Sequence, residues 1–316
     1  PWPNPLAAYG LGNHFYDQLR HEEAIHCWER AVSDGASFAT VYRNLGIAYW
    51  NIRRDGDAAR RFYQQALELD PSDARIVCEF DQLCSKLNDP LRVRLEFMES
   101  RRELALQRDD SSVALASLHN LAGNPGEALR ILTGRRFHPW EGGEGSVLRQ
   151  FTLSHLLLGQ AALESGDADR ALKHFSGAME TPESLGEAYH LLQAKADVNY
   201  WIGRGLHAAG RIPEANRHFE ACAAEQGDFA EMSVAFHSPL SYYRGLALME
   251  LGRRDEASAL FHSLKAYGES KLGETAVIDY FATSLPNLLV FEEDLQARKE
   301  AEHCLLIALA CHGLGE

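Results

Sequence analysis

Along this chain, small and apolar residues recur in paired amphipathic runs separated by turn residues. Between Tyr200 and Cys222, Ile202, Gly203 and Leu206 are followed, past Gly210, by Ala215, Phe219 and Cys222. Apolar positions three and four apart share one helix face, so the pattern predicts two helices joined by a short turn. Gly203 lets a second helix approach, Ala215 is the matching small residue on it, and Phe219 fills the space one turn further on. Gly210 falls where the first helix must end in a left-handed residue. Ala8, Leu11, Gly12 and Phe15, then Ala24, Trp28 and Ala31, predict another such hairpin. Tyr42, Leu45, Gly46 and Tyr49 repeat it, with Leu11 to Leu45 and Gly12 to Gly46 each 34 residues apart. Ala59, Tyr63, Ala66 and Asp70-Pro71 follow one residue late, which places a one-residue insertion in the turn at 54–56. Pro71 cannot continue a helix and closes the unit.

A third, degenerate unit keeps Val77, Phe80 and Cys84, has Asp81 in place of the glycine, and predicts a second helix from Leu91 to about Gln107. A fourth spans Ser111 to Leu132, with Leu115, Ala116 and Ala128 in register and its turn at 123–126. Arg135 to Gly145 is a loop by composition. Leu158, Gly159, Ala162, Gly166, Ala171, Phe175 and Ala178 mark the fifth unit, and Thr181 to about Ala194 is irregular. The Tyr200–Cys222 hairpin is the sixth, and Gly245, Leu248, Gly252, Ala257 and Phe261 mark the seventh. Asp279 to Leu295 departs again, with Pro286 breaking any single helix. A last helix is expected from about Glu293 to Cys311. Gly315 stands where Gly210 and Gly252 stand, so the natural chain is expected to continue past Glu316.

The spacing of Leu, Gly and aromatic residues on one helix and Ala-x3-Phe on the next resembles the tetratricopeptide repeat (TPR) signature. The expected fold is all-α: a right-handed superhelical solenoid of about eight helix-turn-helix units with irregular insertions, its concave face lined by the first helix of each pair. Residues 1–5, with three prolines, read as a linker from an upstream domain. Residues 6–133 hold units one to four, 134–145 a Gly-rich loop, and 146–316 units five to eight, the last incomplete.

Trp2-Pro3-Asn4-Pro5-Leu6, the run from Arg136 to Gly145 through Phe137-His138-Pro139-Trp140, and Asp279-Tyr280-Phe281 with Ser284-Leu285-Pro286 resemble a family of large bacterial proteins. These carry a domain of unknown function 5107 followed by tetratricopeptide repeats, and the resemblance covers the whole chain as the repeat region. It implies an upstream domain of β character, similar to galactose-mutarotase-like sandwiches. It transfers no residue roles.

Composition narrows the function classes. The 316 residues are 46% hydrophobic, ample for a core. The net charge of −14, from 45 acidic and 31 basic residues, disfavours binding to phosphate backbones. No apolar run reaches the ~18 to 20 residues a bilayer requires. The six cysteines form no Cys-x-x-Cys pair and read as reduced, buried small hydrophobes of a cytoplasmic protein.

Candidate chemistry is sparse. In the loop, Trp140 is of a kind to stack on a sugar or an aromatic partner, with His138, Glu141 and Glu144 as polar partners. Against this, Phe137 and Trp140 are also placed to plug the space between units four and five. Glu141 and Glu144 have no partner base or nucleophile for acid–base work. His303-Cys304 and Cys311-His312 are eight residues apart on one helix, too far for one metal, and read as packing. Gly10-x-Gly12 has no preceding strand and is no dinucleotide fingerprint.

Some tetratricopeptide domains grip a peptide's C-terminal carboxylate with a two-carboxylate clamp. Asn13, Asn44 and Arg75 fit that pattern, whereas Tyr9 and Glu79 stand where cations are needed, so clamp function is not expected. Tyr9, Tyr16, Arg43 and Trp50 still provide an aromatic, weakly basic groove. The expectation is a non-catalytic scaffold, with no cofactor or metal, whose partner is a protein or peptide, its own upstream domain included. The alternative is an accessory domain of a carbohydrate-active enzyme with Trp140–Glu144 near a sugar site. Self-association through the C-terminal face is a third option.

Overall fold

The computed structural model describes residues 4–140, 142–230, 233–277 and 289–316. The chain divides into two compact units: residues 1–122 with Asn287–Glu292, and residues 123–286 with Glu293–Glu316. The division falls between Ala122 and Gly123, inside the hairpin expected to close the first half. Glu141, Trp2 and residues 279–288, Pro286 among them, lie outside the described residues.

The first unit consists of helices α1 (Pro5–Asp17), α2 (His21–Ser33), α3 (Ala39–Ala48), α4 (Gly56–Leu69), α5 (Ala74–Lys86), α6 (Leu91–Glu99), α7 (Arg102–Ala105) and α8 (Asp109–Leu121). Helix α1 begins inside the stretch read as a linker. The Asn4 side chain accepts the Ala7 amide at 3.0 Å, and Pro5 takes the first helical position, where its missing N–H costs nothing. Trp28, Ile25, Val41 and Leu45 form the core between α1, α2 and α3.

Close helix approach at glycine recurs in both units. A β-carbon on Gly12 would collide with the Trp28 ring, and one on Gly46 would sit 2.5 Å from Tyr63. In the second unit the same holds for Gly159 with Phe175, Gly203 with Phe219 and Gly245 with Phe261. The glycine precedes its aromatic partner by 16 residues in four of these pairs and by 17 for Gly46 and Tyr63. The extra residue is absorbed as a π-helical turn over Tyr49–Arg53, ahead of the 54–56 turn to which the sequence assigns it. Arg54 follows in the left-handed region, at φ 54°.

The degenerate third unit replaces the glycine contact with charge. Asp81, 1% exposed, receives Arg94 Nε at 3.0 Å and Nη2 at 2.9 Å. Its expected single second helix is instead broken into α6 and α7. The Ser100 hydroxyl donates to the Phe97 carbonyl at 2.7 Å, diverting a backbone acceptor at the break.

The second unit holds α9 (Pro125–Thr133), α10 (Ser146–Glu164), α11 (Ala168–Gly177), α12 (Ala196–Ala208), α13 (Ile212–Ala224), α14 (Leu240–Glu250), α15 (Arg254–Lys271) and α16 (Leu295–Leu314). A short antiparallel ribbon, β1 (Asp228–Ala230) with β2 (Ser233–Ala235), joins α13 to α14; the helical periodicity gives no sign of it. Phe175, Ile202, Leu206, Phe219 and Cys222 belong to the core. Gly315 ends α16 at φ 77°, as Gly210 and Gly252 end α12 and α14. The cysteines are free, and Cys78, Cys84 and Cys222 are buried, but the expectation of burial fails at Cys304, exposed on α16, and holds only in part at the half-buried Cys27 and Cys311. Burial pushes the Cys78 and Cys84 thiols up to about 12.

Candidate functional site

The aromatic and polar groove residues singled out in the sequence come from α1, α3, α5 and the π turn. Asn13 Oδ1 accepts Trp28 Nε1 at 3.0 Å and Asn44 Nδ2 at 3.3 Å. Arg43 forks onto Glu79, Nε to Oε2 and Nη2 to Oε1, both at 2.6 Å. The Tyr63 hydroxyl donates to Glu79 Oε2 at 2.9 Å, and Arg75 Nε lies 3.3 Å from Oε1. Glu79 is 5% exposed, so one buried carboxylate neutralises both arginines in reach. Tyr9 packs edge-on against Phe38 at 5.0 Å, and Tyr16 lies against Trp28 and His21. The Asn side chains are thus engaged with one another and with Trp28, and the arginines with Glu79.

A feature the sequence reading missed lies at the π turn. The non-helical segment Leu289–Glu292 is seated there, within the first unit. The Asn51 amide spans its backbone: Nδ2 donates to the Val290 carbonyl at 3.0 Å, and Oδ1 accepts the Glu292 amide at 2.9 Å. Trp50 Nε1 donates to the Glu292 carbonyl at 3.1 Å. Phe291, 3% exposed, inserts its ring 6.3 Å from Trp50 and 5.7 Å from Tyr63. Arg54 Nη2 pairs with Glu292 at 2.6 Å. Burial raises the Tyr16 hydroxyl above its ordinary range, and the Glu292 carboxylate raises it further.

Local sequence explains the placement. The residue inserted between Gly46 and Tyr63 widens the last turn of the helix, so Trp50 and Asn51 occupy a π turn rather than an α-helical register. Arg54 is the left-handed residue that follows it. The late arrival of Tyr63 was the available signal for Trp50 and Asn51. No sequence spacing ties them to Phe291, some 240 residues on.

The loop after α9 makes a second feature, in the second unit. Phe137 is buried at 1% and its amide donates to the Ser184 carbonyl at 2.7 Å. Trp140 is half-buried, its ring folded over Gly143, where any β-carbon would collide with it. Pro139, Trp140, Val147, Leu185 and Glu187 are among the residues lining a cavity of about 230 Å³. Glu187 accepts the Gly145 amide at 2.6 Å and the Leu148 amide at 2.9 Å, so its carboxylate caps the start of α10. Glu144 accepts the Gly142 amide at 3.0 Å, and His138 is exposed at the cavity wall. Among the described residues, no group of three or more His, Cys, Asp or Glu side chains is placed to hold a metal ion. No described helix is long and apolar enough to cross a membrane.

Residues 9–74 match the tetratricopeptide repeat family. Among solved structures, YrrB, described as a TPR protein with an unusual peptide-binding site, is 16% identical, with 56% of this chain and 86% of that one covered at a TM-score of 0.41. A tetratricopeptide repeat protein from Parabacteroides merdae ATCC 43184 is 13% identical, with 97% and 98% covered at 0.45. The structure of Naa15/Naa10 bound to HypK-THB is 17% identical, with 95% and 48% covered at 0.43. The matched hairpins, α1 to α4, are those that build the π turn and its Trp50–Asn51 pair, so the tetratricopeptide match covers residues 9–74 of a chain that is all-α in its fold.

Proposed function

We propose that this chain is a non-catalytic interaction scaffold whose first unit holds a non-helical peptide of a protein partner across Trp50 and Asn51. The observation that carries the reading is the paired Asn51 contact. One side-chain amide satisfies both the carbonyl of Val290 and the amide of Glu292, two residues on. Contacts of this kind recognise peptide backbone, which every partner offers, and leave selection to side-chain pockets. The pocket between Trp50 and Tyr63 is apolar and takes an aromatic ring, whose full burial contributes about 1.5–3 kcal/mol. Arg43 and Arg75 are neutralised by Glu79, so the site is built for a peptide's interior rather than its C-terminal carboxylate.

Selection of displayed random peptides tests this, on the wild-type chain and on a Phe291→Ala chain. Enriched peptides should bind with micromolar affinity and lose at least about tenfold, about 1.4 kcal/mol, on Asn51→Ala. Two results would overturn the reading: no peptide enriched on either chain, or enriched peptides that bind Asn51→Ala undiminished.

A further inference from the structure

We infer that Leu289–Glu292 is an internal ligand of the first unit, and that the partner peptide it stands in for carries an aliphatic–aromatic–acidic triplet in non-helical conformation. This rests on the peptide-binding reading and adds to it the occupant and the chemistry of the partner.

Each position of the segment meets a different kind of surface. Val290 and Glu292 supply backbone groups to Asn51, and Glu292 supplies a further carbonyl to Trp50. Phe291, 3% exposed, is the anchor between the Trp50 and Tyr63 rings. The Glu292 carboxylate faces Arg54, an ion pair half-open to solvent that sets register more than affinity. The aromatic anchor is thus read by burial and the acidic position by charge. In sequence the segment is flanked on both sides by residues of the second unit, so it reaches the π turn as a tethered non-helical segment and not as part of a helix of the first unit.

Tethering has a quantitative consequence. A segment tethered within the same chain presents itself at an effective concentration on the order of millimolar. If the segment's own intrinsic Kd is about 10 μM, a free peptide competing for the site would appear weakened about 100-fold. A partner with this triplet must displace the segment, and weakening the segment opens the site.

The test is fluorescence anisotropy with a labelled heptapeptide, Leu-Leu-Val-Phe-Glu-Glu-Asp, the chain's own residues 288–294. It is titrated with wild-type, Phe291→Ala and Phe291→Ala/Asn51→Ala chains, each confirmed as helical by circular dichroism. The expected result is binding at least about tenfold tighter to Phe291→Ala than to wild type. The double variant should lose that binding, and a heptapeptide with its Phe replaced by Ala should not bind. Should Phe291→Ala fail to fold, Glu292→Pro, which removes the backbone amide that Asn51 Oδ1 accepts, takes its place. Equal binding to wild type and Phe291→Ala would overturn the internal-ligand inference. Failure of the heptapeptide to bind Phe291→Ala, while library-selected peptides still bind through Asn51, would overturn the proposed triplet and leave the peptide-binding reading standing. Undiminished binding by the double variant would overturn that reading itself.

Discussion

The close approach of paired helices at glycine makes a substitution whose sign depends on position. At Gly203 a β-carbon would sit 2.5 Å from Cε1, 2.7 Å from Cδ1 and 3.0 Å from Cζ of Phe219. Phe219 is 1% exposed and enclosed by core neighbours, so the ring has nowhere to move. Overpacking of this kind costs about 1–3 kcal/mol, against which alanine recovers about 1 kcal/mol of helix propensity. Gly203→Ala should therefore destabilise by up to about 2 kcal/mol. Gly126, in the first turn of α9 in the same unit, has nothing within 4 Å of the corresponding β-carbon, so Gly126→Ala should stabilise by about 0.5–1 kcal/mol. Urea unfolding followed by helical circular dichroism reads both as midpoint shifts of opposite direction at unchanged slope. Gly203→Ala with Phe219→Leu should show a favourable coupling, because the smaller side chain yields the space. A Gly203→Ala midpoint at or above that of Gly126→Ala would refute the steric argument and, with it, the account of why glycine faces an aromatic ring in these five pairs.

Two further expectations concern backbone strain and pH. Leu19 ends α1 in the left-handed region at φ 60° with its side chain 77% exposed, so Leu19→Gly should remove strain and lose little burial. Net of glycine's larger unfolded-state entropy, about 0.5–1 kcal/mol remains, a rise of about 2–4 °C in the Tm of the first unit by calorimetry; an unchanged or lower Tm contradicts it. His155 is pushed down from 6.5 to about 4, chiefly by burial and then by His174. The unfolded chain takes up this proton below about pH 6.5 and the folded chain refuses it until about pH 4. Stability therefore falls as pH drops through this window, from its full value above pH 6.5 toward pH 4. His155→Phe should flatten the stability profile between pH 6.5 and 4, and an unchanged profile would show that His155 does not titrate as described.

The helical hairpins were legible in the sequence because their cause is local. A glycine on one helix and an aromatic residue 16 positions later fix a close crossing whatever the rest of the chain does, and a left-handed residue ends the first helix of each pair. The late Tyr63 was legible too, but as a turn insertion. Only the structure shows the extra residue taken up within the helix, where a π turn keeps most backbone bonds that a longer turn would give up. The groove residues Tyr9, Asn13, Tyr16, Arg43, Asn44, Trp50 and Arg75 could be named from repeat spacing. Their partners could not, since Glu79 reaches Arg43 from the neighbouring hairpin. The ribbon β1–β2 and the break at Ser100 escaped notice because each rests on a few residues with no period to read. The seating of Phe291 against Trp50 was the least accessible, as it joins positions far apart in the chain through backbone hydrogen bonds that no residue pattern encodes. Sequence determined the repeating hairpin because near-neighbour packing sets it; tertiary structure decided what is seated at the π turn, because that depends on which distant segment the folded chain brings within reach of Asn51.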